Sequence, residues 1–216
     1  MSDKELWFIR HTETVTPDSY DFDLSRQGRR NARIIGWYLA AQNVAKPLVV
    51  LRFNELRGAT MASCLTSYVK KNPSANIINA TIQQMPLGQI ESFRDLLKIV
   101  LRLDAFKDDC NGQTPSTAVF VMHRMYEAGF DLLSFILAAS PRISTETFDQ
   151  NSRAITSSFT EHSRHMFENG ELIRMRFPVS NWQDICPGSG QIVERTKIQG
   201  LRPRYKAWRQ SQRDPH

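Results

Sequence analysis

The sequence predicts an α/β protein: a three-layer sandwich with a mostly parallel central sheet and helices on both faces. Three observations carry that expectation. Short continuous apolar runs recur as Leu6-Trp7-Phe8-Ile9, Leu48-Val49-Val50-Leu51 and Ala118-Val119-Phe120-Val121-Met122, the pattern of strands buried on both faces. Longer segments with apolar residues at helical spacing alternate with them. The runs also end in basic or histidine residues, Arg10-His11, Arg52 and His123, at the carboxyl edge where open α/β sheets bind ligands.

In chain order, the first strand leads through the turn signal Thr16-Pro17-Asp18-Ser19 to Ser25, a good helix N-cap. Arg26 to Gln42 then sets Ala32, Ile34, Ile35, Tyr38 and Leu39 on one helical face, with Gly28 in the first turn. Pro47 precedes the second strand, and a helix follows from Arg57 to about Lys71, stopped by Asn72-Pro73. Ile77-Ile78 reads as a short third strand, and Glu91 to Phe106 as an amphipathic helix. Beyond the strand ending at His123, helices are expected over 125–139 and, irregularly, over 151–167. Glu171 to Phe177 alternates with a period of two, as an edge strand does.

The totals suit one domain with a core of ordinary size: 216 residues, 41% hydrophobic and 23% charged. The charged amino terminus lacks the apolar stretch of a signal peptide, and no run is long enough to span a bilayer. Cys64, Cys110 and Cys186 are odd in number and far apart, which argues against a disulfide framework. A cytoplasmic protein is expected. The net charge of +6 is concentrated at the carboxyl end, where residues 194–216 hold seven Lys/Arg against two carboxylates. The chain therefore divides into a domain over 1–182 and a basic tail over 183–216 that can be flexible.

Arg10, His11, His123 and Arg57 would converge at one sheet edge. Histidine attacks phosphorus in line, and arginine forks hold the equatorial oxygens. Taken alone, each motif is more simply a strand end or a helix start.

In order along the chain, Arg10-His11-Thr12-Glu13-Thr14, Leu24-Ser25-Arg26-Gln27-Gly28, Arg57-Gly58-Ala59-Thr60-Met61-Ala62, Val121-Met122-His123 and Asn169-Gly170 resemble the motif series of the histidine phosphatase superfamily, the phosphoglycerate mutase-like fold. The resemblance implies that His11 becomes a phosphohistidine, that Arg10, Arg57 and His123 line the phosphate pocket, and that water releases the phosphate. It implies no cofactor.

The departures are Thr12 in place of glycine, Arg124-Met125 after His123, and Gln84 where the family supplies a proton-donating glutamate. Glutamine cannot titrate, so it cannot protonate a leaving alkoxide; Glu91 stands nearby in sequence. Thr12, Gln84, Glu91 and Arg124 are therefore pocket candidates.

The leading reading is a phosphatase acting on a phosphomonoester or phosphoramidate. The alternative is a degenerate domain that binds a phosphorylated ligand or partner without turnover. Nucleic-acid contact through the tail, where Tyr205 and Trp208 interleave with Arg202, Arg204, Lys206 and Arg209, is a lesser reading, since short basic tails are more often solvated ends. The His162/His165 pair has no carboxylate or cysteine partner at metal-ligand spacing, so no metal site is expected.

Overall fold

The computed structural model describes residues 3–15, 22–42, 47–52, 55–69, 77–81, 93–122, 169–186 and 188–213. Six strands form one sheet in the order β3-β2-β4-β1-β5-β6: β1 Lys4–Arg10, β2 Leu48–Arg52, β3 Ile77–Thr81, β4 Thr117–Met122, β5 Leu172–Phe177 and β6 Gln191–Thr196. The first four are mutually parallel, whereas β5 and β6 add antiparallel. The expected α/β sandwich is what the chain forms, with a parallel majority and an antiparallel flank.

β1 lies between β4 and β5, and its apolar run explains why. Leu6, Trp7, Phe8 and Ile9 are all fully buried, which only an interior strand with both faces covered can arrange. Alternation along the strands divides them between two cores. Trp7, Ile9, Leu48, Val50, Val119 and Val121 belong to one cluster with residues of three helices: α1 Arg26–Ala41, α2 Leu56–Val69 and α4 Ile198–Ser211. Leu6, Phe8, Val49, Leu51, Ala118 and Phe120 face the other way and are equally dry. On that side Phe177 packs against Trp182, which lies in a 3-10 turn (Trp182–Asp184) that contacts α3 Phe93–Leu101.

α1 begins where the sequence signals it. The Ser25 hydroxyl accepts a hydrogen bond from Gly28 N at 2.9 Å, satisfying a backbone donor that the helix itself leaves open. Its packing on α2 is close at Gly36, where an added Cβ would stand 2.9 Å from Cys64 O. The helix expected over 91–106 ends at Leu101 and tightens into a 3-10 segment, Leu103–Cys110. The helices expected over 125–139 and 151–167 lie outside the described residues.

The carboxyl-terminal reading needs two corrections. Glu171 to Phe177 contains a strand with the expected alternation, but β6 pairs beyond it, so β5 is interior and β6 is the edge. Within residues 183–216, expected to be a basic tail that can be flexible, Gln191–Thr196 form β6 and Ile198–Ser211 form α4. Ile198 and Leu201 are buried, and Tyr205 and Trp208 pack on Trp37 of α1 at ring separations of 5.4 and 5.6 Å. The two rings read as interleaved aromatics are thus occupied in packing. No helix among the described residues is long and apolar enough to cross a membrane.

Candidate active site

At the carboxyl ends of β1 and β4, the His11 backbone N–H donates to Met122 O at 2.9 Å, tying the first motif to the last described residue of β4. His123 follows Met122 in sequence and lies outside the described residues, as do Gln84, Glu91 and Arg124. The described part of the site is therefore Arg10, His11, Thr12 and Arg57, with the loops that hold them.

The His11 side chain is largely buried, and its Nδ1 lies 2.7 Å from Thr12 O. A carbonyl oxygen can only accept, so Nδ1 carries the proton and Nε2 keeps its lone pair. Burial shifts the imidazole below its ordinary pKa of 6.5, against the Thr12 hydrogen bond, and the positive charges of Arg57 and Arg10 push it the same way. The result is a neutral imidazole near two guanidinium groups. Arg57 is itself braced: Nε meets Glu55 Oε2 at 2.6 Å, and its guanidinium lies 5.9 Å from the centre of the Phe22 ring.

Thr12 has no exposed surface, and its hydroxyl donates to Gly28 O at 2.7 Å. The side chain that replaces the expected glycine thus fastens the loop after β1 to the first turn of α1. Gly28 answers from the other side. A Cβ there would collide with Glu13 O, so the helix can approach this loop only without a side chain. Ser25 N donates to Glu13 O at 2.9 Å, and a Thr14–Leu24 bridge closes the loop.

Gly170 lies over the same junction. Its backbone N–H is 3.3 Å from both Arg10 O and His11 O, with φ of +75°, in the left-handed region that glycine adopts without a steric penalty. An added Cβ would press on Thr12 Cγ2 and Ile198 Cβ, both at 3.3 Å.

Sequence reasoning missed a polar relay beneath the loop. Asn31, fully buried, donates through Nδ2 to both Glu13 carboxylate oxygens at 2.9 and 2.8 Å. Its Oδ1 accepts from Gln27 at 3.0 Å and from Arg202 of α4 at 3.3 Å. The available signal was one polar residue amid the apolar face of α1. No group of three or more His, Cys, Asp or Glu with metal-holding geometry occurs among the described residues.

No protein-family model matches the sequence, and no curated protein is significantly similar to it. Solved structures do match. The protein histidine phosphatase SixA, complexed with tungstate, superposes at a TM-score of 0.58 with 13% identity, covering 92% of this chain and 99% of that one. A SixA-named protein from Nakamurella multipartitia gives 0.59 and 15%, covering 91% and 96%. A mycobacterial glucosyl-3-phosphoglycerate phosphatase, complexed with VO3, gives 0.52 and 13%, covering 88% and 98%. The chain has the fold of these histidine phosphatases.

Proposed function

We propose that the protein is a phosphatase that hydrolyses a phosphomonoester or phosphoramidate through a phosphohistidine on His11. The observation that carries this reading is the His11 imidazole: Nδ1 bonded to Thr12 O, burial favouring the neutral ring, and Arg10 and Arg57 close enough to act on it electrostatically. Nε2 attacks phosphorus, the bond from phosphorus to the leaving oxygen or nitrogen breaks, and the phosphoryl group rests on Nε2. Water then attacks the same phosphorus, the P–N bond breaks, and inorganic phosphate leaves with the neutral imidazole restored. Arg10 and Arg57 bind the equatorial oxygens and offset charge in both transition states. His123 completes the pocket on the family pattern, and Thr12 holds the loop that carries His11 against α1.

Two neighbours in fold carry oxyanions, tungstate in one and VO3 in the other, which fits a pocket built for phosphate. The leaving group must depart with little help from Gln84, so acidic alcohols and phosphoramidates are the favoured substrates. Turnover of p-nitrophenyl phosphate, whose leaving group needs little protonation, tests the nucleophile directly. The wild type turns over, and His11→Ala lowers the rate by at least about 10³-fold. Equal rates in the two proteins, both folded, would leave only the binding function.

A further inference from the structure

Three helices on one face of the sheet share a charge bias that packing does not require. α1 carries four arginines, α2 carries Arg57, and α4 carries three arginines and Lys206; none of the three contains a carboxylate. Arg26, Arg29 and Arg30 even occupy the start of α1, where cations oppose the helix dipole.

Between α1 and α2 lies an open groove of about 440 Å³, lined by Arg29, Arg33, Thr60, Ser63, Cys64 and Ser67. Both of its walls begin at the candidate active site. Arg29 follows Gly28, which touches the loop after His11, and Thr60 is one helical turn from Arg57 on the same face of α2. The lining is rich in donors. The Arg33 guanidinium is within hydrogen-bonding reach of the Cys64 thiol, which burial keeps protonated. The Ser67 hydroxyl is already given to Cys64 O, leaving Thr60 and Ser63 beside the two arginines. Among the described residues the carboxylates near α1 and α2 include Asp23, which pairs with Arg29 and accepts from Leu24 N, Glu55, which pairs with Arg57, and Glu13, which accepts both bonds from Asn31.

We propose that the groove between α1 and α2 binds a chain of linked phosphate groups extending from the pocket at His11. The proposal rests on the phosphatase reading for the ligand's direction, while binding itself requires no turnover. Guanidinium forks and hydroxyls suit the oxygens of successive tetrahedral phosphates, and one orthophosphate would leave most of the groove unfilled.

The test is calorimetric titration of inorganic tripolyphosphate, orthophosphate and adenosine triphosphate into His11→Ala protein, which keeps the groove and cannot turn over through His11. Tripolyphosphate binds more tightly than orthophosphate. Adding Arg33→Gln weakens tripolyphosphate by about tenfold, the scale of one lost charge-assisted hydrogen bond. Adding Arg30→Gln, which removes the same charge one position outside the lining, changes it by less than about twofold. Adenosine triphosphate matching tripolyphosphate assigns the groove to nucleotide phosphates; a weaker response assigns it to free oligophosphate. Equal binding of tripolyphosphate and orthophosphate, or equal losses from the two arginine substitutions, overturns the proposal. With His11 intact, Arg30→Gln, outside the groove lining, leaves kcat for p-nitrophenyl phosphate unchanged. Arg33-dependent tripolyphosphate binding in a protein that never hydrolyses p-nitrophenyl phosphate would sink the phosphatase reading and keep the groove.

Discussion

The two ends of β1 both bury charge, and they treat it in opposite ways. At the amino end Lys4 and Glu5 are 3% and 4% exposed, and each is matched. Lys4 Nζ donates to Pro115 O at 3.0 Å, and Glu5 receives Arg174 at 2.6 Å and Arg176 at 3.3 Å. Arg174 also lies 5.1 Å from the centre of the Trp7 ring. At the carboxyl end the side chains act mainly as cations or potential cations, and His11 yields by becoming less basic. One end closes its electrostatics within the fold. At the other, burial and the charges of Arg57 and Arg10 lower the His11 pKa, and Arg57 pairs with Glu55 in turn.

The largest effect should come from breaking the matched end. Glu5→Ala leaves the half-buried Arg174 without its carboxylate, and chemical denaturation should show a loss of about 3–5 kcal/mol with kcat little changed. A cost near zero would mean that Arg174 finds solvent instead. A smaller loss, about 2–4 kcal/mol, is expected for Gly28→Ala, because the new methyl must displace the backbone at Glu13. Unlike Glu5→Ala, this variant should also lose activity, since the displaced loop carries His11. Full activity in a destabilised Gly28→Ala protein would uncouple the loop from the site.

The finest test is titration of the His11 ring by NMR, assigned with His11→Ala. Its midpoint should fall below 6.5, the unfolded value, because burial and the neighbouring arginines disfavour the charged ring. The folded state then binds fewer protons than the unfolded state just below 6.5. The His11 contribution to stability is complete above that pH and is lost as pH falls toward the folded midpoint. A midpoint at or above 6.5 would place an anionic partner near the ring and erase the contrast between the two ends.

These same regions show why some of the molecule was legible in the sequence and some was not. β1, β2 and β4 announce themselves because both of their faces are buried, so each carries a continuous apolar run, over residues 6–9, 48–51 and 118–122. β6 gives no such signal: most of Gln191–Thr196 is solvent-exposed, and an edge strand without an apolar face has no period to detect. α4 did carry a helical spacing, Ile198, Leu201, Tyr205 and Trp208, but its four cations drew attention to charge instead. At the candidate site, motif order pointed to Arg10, His11 and Arg57, whose charges do act on one another, and Gly28 stood out by its place in the first turn. The Asn31 relay could not be read in this way, because its partners come from the β1 loop and from α4, distant in sequence and joined only by the fold.

The position of β1 has a consequence for synthesis. The register pairs Glu5 with Thr117 on one side and Lys4 with Phe177 on the other. β1 is therefore made well before both of its neighbours and is among the last strands of the sheet to be completed. At roughly 5–20 residues per second, Leu6-Trp7-Phe8-Ile9 waits on the order of ten seconds for its parallel neighbour and longer for its antiparallel one. During that interval the segment can pack on α1 but has no strand beside it, so its backbone edge stays open to pairing with other nascent chains.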